Sequence, residues 1–411
     1  MPPEAARMRI LYHHRTASRD GQAVHIEELI GALRELGHEV QVVGPDSDEG
    51  RGGDAMGQEV KWVQRLRHAL PKPVYEVLEL GYSLVSYARL LRAARTFRPD
   101  VIYERYNLYL LSGLMLKRRL GLPLLLEVNA PLAEERQRFG AGLGMPALAR
   151  WAEQRVWRGA DVVLPVTHVL KRQMRESGVP EARMVVIANG INEAHFAGAL
   201  SPQAAKAALG KDWKHALVLG FTGFVRDWHG VDRVLHWMAD GRAPVQTRLL
   251  VVGDGPARPD LEALATRLGI SPCVRFTGVV PRDQVPAYVA AFDIALQPAV
   301  VPYASPLKLF EYLALGKAIV APAQPNITEI LTDGDNALLF DGAAPGGLEA
   351  ALTRLCADAA LREQLAAGAA ASITRQGLTW RANAQRVVAL AHAARNGQPL
   401  AEASLAAAQA K

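Results

Sequence analysis

Apolar positions along the chain fall into two kinds of run. Short continuous ones, at Met8 to His13, Glu39 to Val43, Asp100 to Tyr103, Pro123 to Val128 and Asp161 to Pro165, have the length and composition of strands. Between the first two, Val24, Leu29, Ile30 and Leu33 recur at helical spacing within Ala23 to Leu36, a stretch closed by Gly37 and His38. The same alternation returns later. Ala216 to Phe221 and Leu249 to Val252 predict strands, Val231 to Met238 and Leu261 to Leu268 predict helices, a further helix runs up to Ala291, and Phe292 to Gln297 predicts another strand. Strand, loop, helix, strand is the repeating unit of a parallel sheet, so the expected class is α/β with two doubly wound domains.

One segment carries more chemistry than the rest: Y-A-S-P-L-K-L-F-E-Y-L-A-L-G-K-A-I-V-A-P, from Tyr303 to Pro322. Ser305 is a good N-cap residue and Pro306 suits a first helical position, so a helix is expected to start there with its free N–H groups pointing out of the first turn. Those groups make an anion site. Lys308 adds a full charge to it, and Glu311, three residues on, falls on roughly the same face, where it can bind the diol of a ribose. Leu309, Phe310, Leu313 and Ala314 supply the buried side, Gly316 ends the helix and Ala318 to Ala321 predicts a strand.

Other candidates are scattered. Gly21 precedes a helix in the loop R-T-A-S-R-D-G-Q-A-V-H, which has one Gly rather than G-x-G-x-x-G, and His25 follows in the first turn. In T-G-F-V-R-D-W-H-G-V-D, a Gly turn between strand and helix would aim Arg226 and the helix start at one crevice. Glu127, Glu134, Glu135, His25 and the pair Glu104-Arg105 are the candidates for a base or an acceptor contact in the first half. The acidic triplets Asp46-Ser47-Asp48 and Asp333-Gly334-Asp335 lie in turn-rich sequence and are read as turns, not metal ligands.

Length and composition narrow the class. At 411 residues, half of them hydrophobic, the chain suits roughly two to three globular domains. Cys273 and Cys356 are isolated, which excludes a disulfide framework and suggests a reducing compartment. The start lacks the apolar run of a signal peptide, and the longest apolar stretch, Leu108 to Leu116, is about half of what a spanning helix needs, so a cytoplasmic protein is expected. The net charge of +6 is uneven: residues 51 to 175 hold 21 Lys and Arg against 11 Asp and Glu, and the remainder is net acidic. There Lys61 to Leu70 sets Trp62, Val63, Leu66 and Leu70 on one helical face, and Arg89, Arg92 and Arg95 form a second basic stripe. Such a surface could lie on anionic lipid; no nucleic-acid motif accompanies it.

The run from Ser305 to Pro322, followed by Glu329 and D-G-D-N-A-L-L-F, resembles the nucleotide-sugar site of the retaining GT-B glycosyltransferases of family 4. The likeness covers most of the chain and is strongest from Leu217 to Phe340. In that family two Glu residues are separated by seven others, the second holding the donor ribose and the first contacting the sugar. Glu311 matches the second, and Tyr303 stands where the first would be. An Arg and a Lys of the family grip the donor diphosphate; Arg226 matches, and His229 replaces the Lys before Gly230, so pH-dependent donor affinity is expected there. The loop Gly278 to Pro281, with Val279, implies backbone contacts to the nucleobase, and Ser305, Pro306 and Leu307 line the diphosphate with Lys308. Asn129, in E-V-N-A-P, takes the place of a His near the reacting sugar, where an amide can orient a hydroxyl but cannot serve as a base.

The resemblance implies a GT-B fold whose two domains face each other across a cleft: an acceptor domain over 1–195, a nucleotide-sugar domain over 196–377, a hinge near Asn192 to Ser201, and a C-terminal helix within 378–411 that crosses back, its Ala-rich end after Gly397 frayed. It implies transfer of a hexosyl unit from a UDP- or GDP-linked sugar, with retention and without a metal or other cofactor, and with Asn129, Arg226, Lys308 and Glu311 at the reacting centre. His25, Arg105, Glu127 and Glu134 are the acceptor-side candidates. The expected acceptor is a lipid-linked glycan of cell-surface polysaccharide assembly, met at the inner face of the cytoplasmic membrane. Two competing readings are a sugar-nucleotide epimerase, which would convert donor without an acceptor, and a nucleotide-sugar-binding regulator or scaffold. A glycogen-type phosphorylase would need a cofactor Lys in a recognisable context, which the sequence lacks.

Overall fold

The computed structural model describes residues 7–16, 21–45, 70–140 and 142–409, so Asp46-Ser47-Asp48 and the Lys61 to Leu70 pattern up to position 69 lie outside the described residues. The chain forms two compact units, one comprising Met1–Ala188 and Trp380–Lys411, the other Asn189–Thr379.

The first unit is built on five parallel strands, β1 (Arg9–His13), β2 (Glu39–Val43), β3 (Val101–Arg105), β4 (Leu124–Val128) and β5 (Val162–Pro165), in the order β2-β1-β3-β4-β5. Every residue of β3, β4 and β5 is buried, as expected of strands covered by helices on both faces. The direction of winding reverses between β1 and β3, so their C-terminal ends open a crevice of the kind in which doubly wound sheets place ligands. The strand predicted to end at Tyr103 continues to Arg105. Charge marked the boundary in sequence, yet Glu104 and Arg105 are buried against partners, His13 and Glu127, and the ladder runs on.

The second unit has six parallel strands, β6 (Leu217–Thr222), β7 (Thr247–Val252), β8 (Val274–Phe276), β9 (Ile294–Leu296), β10 (Ala318–Pro322) and β11 (Leu338–Phe340), in the order β11-β10-β9-β6-β7-β8. This is the dinucleotide-fold order, and its switch point lies between β6 and β9. Phe221, Leu249, Val251, Ile294, Leu296 and Trp237 are fully buried in one core. Trp237 also donates its indole N–H to Thr353 Oγ1 at 3.0 Å, so no polar atom of that ring is left unpaired. The loops after β6 and β7 meet backbone on backbone. Gly253 has φ +130°, and a Cβ there would sit 2.2 Å from the Gly223 carbonyl oxygen, so only glycine fits.

Two expectations are corrected. The helix predicted to begin at Ser305 spans Leu307–Ala314, with Pro306 at its N-cap and no side-chain cap. Ser305 is occupied elsewhere: its Oγ accepts from the Asn189 amide at 3.4 Å and its carbonyl accepts from Asn189 Nδ2 at 2.6 Å. The Ala-rich end expected to fray is helical over Leu400–Gln409. Leu400 is buried, and Arg386 of the preceding helix Trp380–Asn396 donates to Ser404 Oγ at 3.3 Å, so tertiary packing holds a segment whose composition alone would not. Asp333-Gly334-Asp335 forms a turn, its carboxylates taken by the Leu339 amide and by Arg375.

Candidate active site

In the second unit the candidates converge on the switch point. The end of β6 is pinned to the helix Leu307–Ala314 by Tyr312, whose buried hydroxyl accepts from the Thr222 amide at 2.9 Å and from Thr222 Oγ1 at 3.3 Å. Thr222 Oγ1 also reaches Glu311 Oε2 at 3.4 Å. One residue thus aligns the strand end with the carboxylate. Burial pushes the Glu311 pKa up, against the opposing pull of Lys308, the Thr222 contact and Arg282.

Lys308 is the most telling group. Its Nζ is withdrawn from solvent, has no hydrogen-bond partner among the described residues, and lies 3.7 Å from the centroid of the Phe221 ring. Gly223, with φ +118°, packs beside it: a Cβ there would lie in ordinary contact, 3.4 Å from Lys308 Cε. Burial lowers the Lys308 pKa to about 7, only partly offset by Glu311. A buried ammonium without an acceptor costs free energy that an arriving anion would return.

Arg226 is exposed, its guanidinium 4.9 Å over the Phe224 ring. His229 is buried between Trp228 and Phe221, and its Nδ1 accepts from the Arg226 amide at 3.1 Å, which puts the ring proton on Nε2. Burial, then Lys308 and Arg226, lower its pKa to about 2. The expectation that His229 titrates is therefore corrected: the ring is a neutral donor at working pH, and Lys308 is the group poised to change charge. A diphosphate beside Nζ favours the ammonium, so the bound pKa exceeds the free one. Nucleotide affinity should then be flat below about pH 7 and weaken above it, approaching tenfold per pH unit. Calorimetric titrations across this range, with Lys308→Arg as the non-titrating control, check it; an equal slope in both would place the titration elsewhere.

The remaining donor candidates line the same sheet edge. Gly278, at φ +71°, follows β8 and bridges to Gly253, while Val279 is exposed beside it. Tyr303 is buried in the segment before the helix, which Asn326 holds through the carbonyls of Val301 and Ala304. Pro306 and Leu307 form the helix start, and Leu307 is half-buried.

In the first unit a second cluster forms at the strand ends. Glu127, buried at the end of β4, receives four donors. His25 Nε2 at 2.9 Å and Tyr103 Oη at 2.8 Å meet Oε2, while Arg105 and Asn129 Nδ2, the latter at 2.5 Å, meet Oε1. Burial would raise its pKa, but His25, Arg105 and these hydrogen bonds outweigh it and hold the group far below the carboxylate range. Four partners fill the lone pairs of a carboxylate, so Glu127 has none left to take a proton from a substrate. Its effect is on Asn129, whose NH2 is turned to Glu127 and whose carbonyl oxygen is the group left to accept a hydroxyl. Glu134 lies apart, paired with Arg138 at 2.9 Å and accepting from Gln173 at 3.0 Å. Gly21 opens the helix Gly21–Glu35.

The family described as Glycosyl transferase 4-like domain matches residues 20–190, and that described as Glycosyl transferases group 1 matches residues 216–358. The chain belongs to the family 4 glycosyltransferases. It is similar to a D-inositol 3-phosphate glycosyltransferase of Thermomonospora curvata, 29% identical over 86% of either chain. It is also similar to a GDP-mannose-dependent alpha-mannosyltransferase of Mycobacterium tuberculosis, 27% identical over 78% of this chain and 80% of that one. Among solved structures it shares the fold of Anabaena HepE in complex with UDP, with a TM-score of 0.69 and 18% identity, covering 92% of this chain and 98% of that one. The GT-B fold and the retaining class follow from this membership, and the reaction is transfer of a sugar from a nucleotide sugar.

Sequence reasoning missed two arrangements in this glycosyltransferase. Thr222 and Tyr312 align the helix that carries Lys308 and Glu311, and the signal was faint: a Tyr beside Glu311 at a buried helical position. In the first unit, His13 Nδ1 meets Glu104 Oε2 at 2.6 Å and His13 Nε2 meets Ser86 Oγ at 2.9 Å, across the switch point. All three members are buried, so the arrangement braces the crevice rather than offering a nucleophile. A long gap in sequence separates them, and no spacing announces it.

Proposed function

We propose that the protein moves a hexosyl unit from a UDP- or GDP-linked sugar to a hydroxyl of a lipid-linked glycan in the assembly of a cell-surface polysaccharide, at the inner face of the cytoplasmic membrane. The observation that carries the donor half is the buried, acceptorless Lys308 ammonium beside Glu311 at a switch point. In this reading Lys308, Arg226 and the Nε2 proton of His229 take the charge of the departing diphosphate, Glu311 holds the ribose and the backbone at Gly278 and Val279 meets the base. The bond from the sugar C1 to the phosphate oxygen breaks, and the acceptor oxygen joins C1 on the same face. Because Glu127 is saturated and Asn129 is an amide, the acceptor proton passes to the departing phosphate, and Asn129 Oδ1 orients a substrate hydroxyl. The basic first half of the chain supports an acceptor on an anionic surface.

Calorimetric titration with UDP, GDP, ADP and their sugar conjugates tests the donor half. One nucleotide should bind selectively, and Glu311→Ala should weaken it about 10- to 100-fold, the range of a hydrogen bond to a charged group. Equal binding by both proteins would sink the assignment of Glu311.

A further inference from the structure

The helix Lys72–Phe97 is the longest described in the first unit, about 39 Å at 1.5 Å per residue. It buries one stripe, with Tyr75, Ser83, Ser86, Leu90 and Ala94 facing inward. Nothing among the described residues covers the opposite stripe. There Val74, Val77, Leu78, Leu84 and Val85 are 47–63% exposed, at the three- and four-residue spacing that puts them on one face. Continuing along that face toward the C-terminus, Arg89, Arg92 and Arg95 are exposed and make no ion pair among the described residues.

The acidic residues of the helix are turned elsewhere. Glu76 is buried and accepts from the Gly144 and Met145 amides, and Glu79 is paired with Arg136 and Arg15. The outward stripe is therefore apolar in its first half, purely basic in its second, and without a carboxylate. A second copy of this chain does not suit it, since an isologous contact would set arginines against arginines or against the apolar half with nothing to neutralise them. No described helix is long and apolar enough to cross a membrane. An apolar strip that ends in unpaired arginines fits a surface whose interior is hydrocarbon and whose face is anionic.

We propose that this stripe is the face by which the protein lies on an anionic bilayer, the valines and leucines entering the acyl boundary and Arg89, Arg92 and Arg95 meeting lipid phosphates. The inference deepens the reading of a lipid-linked acceptor and takes its purpose from it, but its test needs no sugar. Full-length protein is floated with vesicles of phosphatidylcholine alone, or with about 30 mol% phosphatidylglycerol, at about 0.1 M salt. The wild type should float with the anionic vesicles and far less with the neutral ones. Arg89→Glu with Arg92→Glu should reduce the floated fraction at least about tenfold, since each arginine at an anionic surface contributes roughly a factor of five. Leu84→Ser with Val85→Ser should reduce it on the same vesicles while leaving the circular dichroism spectrum and the thermal melting of the first unit unchanged, which shows that the variant folds. A wild type that stays unbound, variants that float equally well, or a dimer that the Leu84 and Val85 changes dissociate would overturn the proposal. Nucleotide binding without flotation removes the docking face alone, and flotation without nucleotide binding removes the donor-site assignment alone.

Discussion

Lys308→Ala should turn over on the order of 10²- to 10³-fold more slowly than the wild type, the cost of losing one preorganised group aimed at developing charge. The argument rests on position and state together. The ammonium is already stripped of water and has no other acceptor, so it needs little reorganisation when negative charge builds on the leaving diphosphate. Lys308→Arg keeps the charge but not the compact head, and the Phe221 ring packed against Nζ leaves little space for a planar fork; partial recovery is expected. Single-turnover transfer with saturating donor separates the two quantities. Unchanged turnover accompanied by weaker binding would make Lys308 a ground-state contact only.

Glu127→Ala should destabilise the first unit by roughly 3–5 kcal/mol, because it leaves the buried Arg105 guanidinium and the Tyr103 hydroxyl without their acceptor. In a unit of this size that lowers the apparent Tm by about 10 °C. Glu127→Gln, which keeps an acceptor but no charge, should fall between the two. The folded-state pKa of Glu127 is depressed, so its contribution is complete above the unfolded carboxylate value and is lost only as pH falls toward the folded one. Calorimetric melting of both variants measures it, and a loss below about 1 kcal/mol would mean that water replaces the carboxylate at no cost.

The fold and the donor helix were legible because each rests on local signals. Parallel strands buried on both faces read as apolar runs, and a Pro, a Lys and a Glu within six residues predict an anion site beside a hydroxyl site. What could not be read was pairing over distance. Ser305 looks like a cap until Asn189, far away in sequence, takes its oxygen. Glu127 looks like a candidate base until His25, Tyr103, Arg105 and Asn129 are seen to saturate it. His229 looks like a pH sensor until its burial beside Lys308 is known. In each case composition gave the group, and only the tertiary environment gave its protonation state and its free valences.

The connectivity of the two units sets an order of assembly. The first unit takes helices from Trp380–Lys411, so its core, including the edge-on contact of Trp380 with His25 and the bond from Asn383 to the Ala188 carbonyl, cannot close until that segment has been synthesised. The second unit is contiguous and complete before then. Closing a flexible loop of about 190 residues would cost roughly 4–5 kcal/mol in chain entropy. That loop is not flexible once Asn189–Thr379 has folded, because the Ile191 amide bonds the Leu378 carbonyl and brings its two ends together. The unit translated in the middle thus serves as the splint on which the earlier residues and the helices after Thr379 are joined.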